Sequence, residues 1–183
     1  TVSPPTAGYG RAPTAGLQLT DEIRTQTTDR GVETASVTLH VGLGTFSPIR
    51  TEVVEEHKIH TEWYQIPEQT AERIARAKRD GRRVVAIGTT SVRTLEYAAG
   101  KDPQSAITAH SGEANIFIYP GYRFRVVDAM LTNFHLPKST LLMLVSAFAG
   151  RENVLAAYHH AVRECSRFFS YGDCMFIESR MLP

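Results

Sequence analysis

The stretch Val84–Glu96, VVAIGTTSVRTLE, decides the fold class. Val84 to Ile87 are all apolar, the pattern of a short strand buried on both faces, as in parallel sheets. Gly88 breaks the run. Thr89, Thr90 and Ser91 then open a helix with no loop between. A buried strand running straight into a helix is a unit of α/β architecture.

The alternation continues outward in both directions. Upstream, Pro67 marks the start of a polar helix, EQTAERIARAKRD, closed by Gly81. SVTLHV, Ser36–Val41, predicts a strand, and residues 51–65 predict strand or extended loop. Thr20 followed by Asp21 and Glu22 predicts a capped helix that stops at Gly31. Ahead of it, PPTAG and APTAG nearly repeat in irregular chain, but two copies are too few for a solenoid. Downstream, residues 101–113 read as loop, and NIFIYP and YRFRVVDAMLTNF as strands around a Pro120-Gly121 turn. PKSTLLMLVSAFAG and ENVLAAYHHAVREC predict helices split by Gly150, and CMFIES a closing strand. The expected fold class is α/β (mixed α+β), a large mixed-sheet domain with flanking helices.

Composition sets the bounds. The chain has 183 residues and 42% hydrophobic residues, enough for one large domain with a real core. A net charge of +1 neither suggests nor excludes a nucleic-acid partner, because local patches matter more than totals. Cys165 and Cys174 lack metal-finger spacing and read as buried or free thiols of a reducing compartment. No apolar run reaches the roughly 18 residues of a membrane span, and no signal peptide is read. The chain opens on Thr1 without an initiator Met, which raises the expectation of a fragment.

Several constellations carry chemistry. At the start of the central helix, Thr89, Thr90, Ser91 and Arg93 suit a carboxylate or phosphate, because helix amides, hydroxyls and a forked cation gather there. Simple capping with a surface Arg fits the same residues. In TLHVGLGTF, His40 lies on a strand beside Gly42 and Gly44, which allow close backbone approach, though a core histidine is the commoner case. TNFHLPKST joins a strand to a helix. Pro137, Ser139 and Thr140 serve the helix start, but Asn133 and His135 alternate with Phe134 and Leu136 and so share one side of an extended end. That polar pair reads as a pocket wall, with His135 suited to proton transfer.

Other features weigh less. Arg76, Arg79 and Arg83 share a helix face, open to phosphate contact or plain solvation. His57, His60 and Glu62 suggest a metal only if they converge, and alternation in extended chain argues against it, so no metal is expected. Tyr171 and Asp173 bracket Gly172 in a turn. The absence of GxxxxGK[ST] counts against a phosphotransferase, and no Gly-rich methyltransferase entry is evident.

Together, APTAGL, VTLHVGLGTF, GTTSVRTLE, IFIYPGY, VVDAMLTNFHLPKSTLLMLVSAFAG and RFFSYGDCMFI resemble the ordered motif series of the S-adenosylmethionine:tRNA ribosyltransferase-isomerases of queuosine biosynthesis. The resemblance runs from Ala12 to Ile177 and covers the C-terminal part of that family's large domain, its inserted small β-barrel being absent here. It implies transfer and isomerisation of the ribosyl moiety of S-adenosylmethionine onto 7-aminomethyl-7-deazaguanine at the wobble position of tRNA. Epoxyqueuosine, adenine and methionine result. S-adenosylmethionine is then a co-substrate, with no cofactor, and a cytoplasmic monomer without membrane contact is expected. The implied roles are proton transfer by His40 or His135, anion binding by Thr89, Thr90, Ser91 and Arg93, and substrate orientation by Asn133 and Ser139. Tyr171 and Asp173 are further substrate-binding candidates. Where the family has PTAGLHFT this chain reads PTAGLQLT, with Gln18 in place of a titratable His. A truncated chain that binds S-adenosylmethionine or tRNA without turnover is the alternative expectation.

Overall fold

Strand and helix alternate from residue 62 to residue 114, in line with the pattern around Gly88. The computed structural model describes residues 18–40, 42, 54–57, 59–102, 104, 106–169 and 172–178. Tyr171, Gly44 and both PTAG segments lie outside the described residues. The elements in chain order are α1 (Asp21–Asp29), β1 (Thr38–His40), β2 (Glu62–Ile66), α2 (Glu68–Arg79), β3 (Val85–Ile87) and α3 (Thr89–Lys101). Then follow β4 (His110–Ala114), β5 (Ala129–Asn133), α4 (Thr140–Ala149), α5 (Arg151–Arg163) and β6 (Cys174–Glu178).

The strands form two three-stranded sheets, ordered β1-β2-β4 and β3-β5-β6. The first is antiparallel throughout. In the second, β3 runs parallel to β5 and β6 antiparallel to it. The helix α3 contacts β3 and β5 of one sheet, β4 of the other, and α4. That position explains its composition: Thr89, Ser91, Val92, Arg93, Thr94, Leu95, Glu96 and Ala99 are all buried, so it is a core helix rather than a surface one. Val92, Leu95, Tyr64, Ile66, Met130, Leu144 and Val145 make the centre of the core. Each large side chain buried there contributes roughly 1.5–3 kcal/mol.

Three expectations are corrected. A strand, β4, occupies His110–Ala114, where the polar residues read as loop; it is held by pairing to β2, and its outer residues stay exposed. NIFIYP is not a regular strand, although Ile118 is fully buried. Only the last five residues of the long strand predicted before Phe134 are strand, because the backbone at 125–127 donates to a side chain, Glu96, instead of a neighbouring strand. The helix starts fare better. Thr20 caps α1 by accepting from the Ile23 amide at 3.3 Å, and Ser139 caps α4 by accepting from the Leu142 amide at 3.1 Å.

Candidate functional site

The parallel strands β3 and β5 end at the same edge, where the Gly88 amide donates to the Leu131 carbonyl at 2.8 Å. In α/β sheets, ligands bind beyond the carboxyl ends of parallel strands. Three segments meet there: the first turn of α3, the chain 133–139 leaving β5, and the start of β6, where Asn133 pairs with Cys174.

Gly88 enters α3 with φ 86°, in the left-handed region that a side chain would resist, and no side-chain hydrogen bond caps the helix among the described residues. The helix amides and the positive end of its dipole therefore face this edge. Thr89 and Ser91 are buried beside them and Thr90 is half-buried. Gly88 occupies the N-cap position, so these hydroxyls lie inside the first turn and not at the cap. Asn133, only 4% exposed, ends β5 in the same place.

His135 leaves the strand. Its Nε2 lies 3.0 Å from Thr132 Oγ1, and its backbone amide donates to the Tyr158 hydroxyl at 2.7 Å. Since Thr132 and Asn133 point to opposite faces of β5, His135 does not share a side with Asn133 as strict alternation predicted. Regular pleating stops at Asn133, which is the physical reason. Phe134, Tyr158 and Phe168 stack behind this segment with ring centroids 5.0–5.8 Å apart. Burial pushes the His135 pKa down to about 4, so the ring is neutral at physiological pH.

Ser139 is fully employed in the turn. Its hydroxyl donates to the Leu136 carbonyl at 2.7 Å while accepting from Leu142, so it caps α4 rather than standing ready for substrate. Asp173 sits at the start of β6, accepts from the Arg167 amide at 2.8 Å and pairs with the Arg167 guanidinium at 3.1 Å. Those bonds lower its pKa and make it a local lock. Gln18 donates to the Gly172 carbonyl at 2.9 Å, which brings the segment ahead of α1 to the same edge. Next to the edge, a groove of about 440 Å³ lies between β6 and α5, lined by Phe134, Asn153, His160, Asp173, Met175 and Ile177 among others.

Two expected members are not brought to this edge. Arg93 is 2% exposed and turns toward the other sheet. Its guanidinium pairs with Glu62 at 2.9 Å and donates to the carbonyls of Ile116 at 3.3 Å and His60 at 3.4 Å. Burial lowers its pKa and the Glu62 carboxylate opposes that shift. Arg93 is therefore a buried tie between α3 and β2, not the exposed cation an anion site would use. His40 is exposed on β1, its ring edge-on to Trp63 at 4.6 Å. It pairs with Trp63 on the outer face, whereas Glu62 and Tyr64, and with them Arg93, belong to the inner face.

Sequence reasoning missed Glu62, Thr132 and Tyr158. Glu62 was weighed as a metal ligand, yet alternation along β2 buries Glu62, Tyr64 and Ile66 together, a signal that it needs a buried cation. His57 packs on Phe117 instead, and no group of three potential metal ligands occurs among the described residues. Both cysteines are free, and both are exposed rather than buried. No single described helix is long and apolar enough to cross a membrane.

The arginine-rich stretch of α2 and the turn after it is largely ion-paired. Arg76 and Arg82 share Glu33, Lys78 pairs with Asp128, and Arg83 pairs with Glu178. The solvated, salt-bridged face is what forms.

Comparison with known proteins places this geometry in a family. Residues 1–177 match the family model described as "Queuosine biosynthesis protein". Curated relatives named S-adenosylmethionine:tRNA ribosyltransferase-isomerase include one from Pelobacter propionicus, 60% identical over 97% of this chain and 51% of its own length. Another, from Natranaerobius thermophilus, is 57% identical over 94% of this chain and 50% of its own. The crystal structure of an S-adenosylmethionine tRNA ribosyltransferase from Thermotoga maritima is similar, with a TM-score of 0.74 and 43% identity, covering 89% of this chain and 51% of that one. The chain thus spans about half the length of the relatives it matches. With the family model matching residues 1–177 and relatives 57–60% identical along nearly all of it, the chain belongs to the queuosine biosynthesis protein family.

Proposed function

We propose that this chain supplies the S-adenosylmethionine-handling edge of a ribosyl transfer to 7-aminomethyl-7-deazaguanine in the wobble position of tRNA. The products are epoxyqueuosine, adenine and methionine, and S-adenosylmethionine is consumed as co-substrate. A cytoplasmic monomer is the setting. One observation carries the reading: an uncapped helix N-terminus, a buried Asn133 and a neutral His135 lie at one end of a parallel strand pair.

The chemistry divides among these groups. The amides of the first turn of α3, with Thr89 and Thr90, hold the methionine carboxylate. The groove beside Phe134 and Met175 takes an apolar part of the donor. A proton must leave the ribose 5′ carbon, where the neighbouring sulfonium stabilises the resulting carbanion. His135, neutral at physiological pH, is the acceptor of that proton. His40, on the outer face of the other sheet, takes no part.

Adenine release from S-adenosylmethionine with a modified tRNA substrate tests this. His135→Ala is expected to lower kcat by about 10²–10⁴-fold, and His40→Ala to leave it unchanged. Thr89→Val is expected to raise KM for S-adenosylmethionine with little change in kcat. Full turnover in His135→Ala removes that residue from the chemistry. A second reading, binding without turnover, is favoured by the half-length match. Calorimetric binding of S-adenosylmethionine without any adenine release selects it.

A further inference from the structure

We infer that Lys101, Arg123 and Arg125 form an RNA-phosphate-binding surface at the far end of α3; this rests on the tRNA reading above and identifies where the nucleic acid lies. The charge distribution points there. The cations of α2 and its following turn are largely spoken for by Glu33, Asp128 and Glu178. Lys101, Arg123 and Arg125 make no ion pair among the described residues. Lys101 and Arg125 also lie at the same helix end, and Arg123 is two residues from Arg125 in sequence. The Arg125 guanidinium donates to the Ala99 carbonyl at 3.5 Å, two residues from Lys101, whose ammonium lies over the Tyr97 ring at 4.8 Å. Arg123 and Arg125 are both exposed on this loop, while the neighbouring Tyr122 and Phe124 are half-buried.

The loop that carries them is held rigid. Glu96 is fully buried beneath it and accepts from the amides of Arg125 at 2.8 Å, Val126 at 3.0 Å and Val127 at 3.0 Å. It also accepts from the Tyr122 hydroxyl at 3.2 Å. Four donors on one carboxylate, with Phe124 packed edge-on to Phe148 at 4.8 Å, fix the backbone before any partner arrives, which reduces the ordering cost of binding. A helix C-terminus explains the placement of Lys101 and Arg125, since cations offset its partial negative charge. It does not explain Arg123. Tyr119, half-buried on Phe117 in the turn just before, adds an aromatic face of the kind that stacks on bases.

Scale argues for RNA. The 13 residues of α3 separate this patch from the strand edge by about 20 Å. A nucleoside-sized ligand cannot touch both ends; an extended polyanion can.

The probe is an unmodified tRNA transcript, titrated against the chain by fluorescence anisotropy across a salt series. Arg123→Glu is expected to weaken binding at least fivefold and to reduce the slope of log K against log salt by roughly 0.7–0.9, one phosphate contact. Arg123→Lys should bind near wild type. Arg79→Glu, on the exposed face of α2, is expected to change nothing beyond twofold. Arg123 touches no other described side chain by ion pair, so its variant should melt like the parent, and a melting curve checks this. Equal losses in the Arg79 and Arg123 variants, no loss in the latter, or no tRNA binding by the parent would each overturn the inference. So would polyglutamate displacing the chain from tRNA at equal charge concentration. Adenine release is read separately: patch-dependent binding with no release overturns the catalytic reading alone, and release with patch-independent binding overturns this one alone.

Discussion

His135 is placed by two bonds, one from its ring and one to its amide, in surroundings that disfavour its charged form. The consequence for stability has a definite sign. Its folded pKa of about 4 lies below the unfolded value of about 6.5, so the unfolded chain binds the extra proton first. The native state keeps its full advantage above pH 6.5 and loses it as pH falls toward 4, by up to about 3 kcal/mol. Urea unfolding at several pH values should show this acid limb, and His135→Gln should flatten it. Arg93 and Glu62 supply a second test at this scale. Truncating either, as in Glu62→Ala, leaves a buried charge without its main counter-ion and should cost about 3–5 kcal/mol. Replacing both, as in Glu62→Leu with Arg93→Met, should recover most of that loss, read by denaturant midpoint. The residue types at these positions were legible as functional or structural candidates, but their partners were not. Glu62 lies 31 residues from Arg93, and nothing in local spacing pairs them.

Among the elements, those set by local chemistry were legible. Thr20 and Ser139 announce their helices because capping is decided within three residues. Ser139→Ala should cost about 1 kcal/mol in thermal or denaturant unfolding, with the loss confined to the α4 end in hydrogen exchange. The strand β3 and helix α3 were legible for the same reason, an apolar run, then a glycine, then hydroxyls, but β3 is an edge strand with Val85 43% exposed and not one buried on both faces. The strand β4 was not, because HSGEA has no apolar alternation and becomes a strand only by pairing with β2. The segment 122–127 misled in the other direction. Its β-branched and aromatic residues read as strand, yet its amides are claimed by Glu96. Glu96→Gln is expected to destabilise the fold by about 2 kcal/mol, since a charge-assisted acceptor of several amides is lost. Faster amide exchange at Val126 and Val127 would locate the effect.

For the whole molecule, the α/β class followed from the order of strands and helices, and the strand edge that gathers the candidate site followed from the class. The split into two sheets did not, nor did the separation of His40 from His135. A strand residue shows its face only relative to its neighbours, and the outward face of β1 is set by its pairing with β2. Charge was misleading at this scale too. Most cations of α2 and the turn after it, Arg76, Lys78, Arg82 and Arg83, are paired with acids brought from α1's exit, from the start of β5 and from β6, while those at 101, 123 and 125 make no ion pair among the described residues.

Gly150 ends α4 and begins α5, with φ 84° and a 113° bend between the helices. The path from His135 through Ser139, along α4, around this elbow and back along α5 returns to Tyr158, which grips the His135 amide. The chain is thus a closed hoop with Gly150 as its far clasp. A Cβ there meets nothing nearer than Asn153 at 3.6 Å, so Gly150→Ala is opposed by backbone angle and not by crowding. Any re-setting of the clasp has to be absorbed by the hoop, which closes on the hydroxyl of Tyr158. The imidazole resonances of His135 should therefore shift in Gly150→Ala, fifteen positions along the chain from the change, while those of His40 stay put.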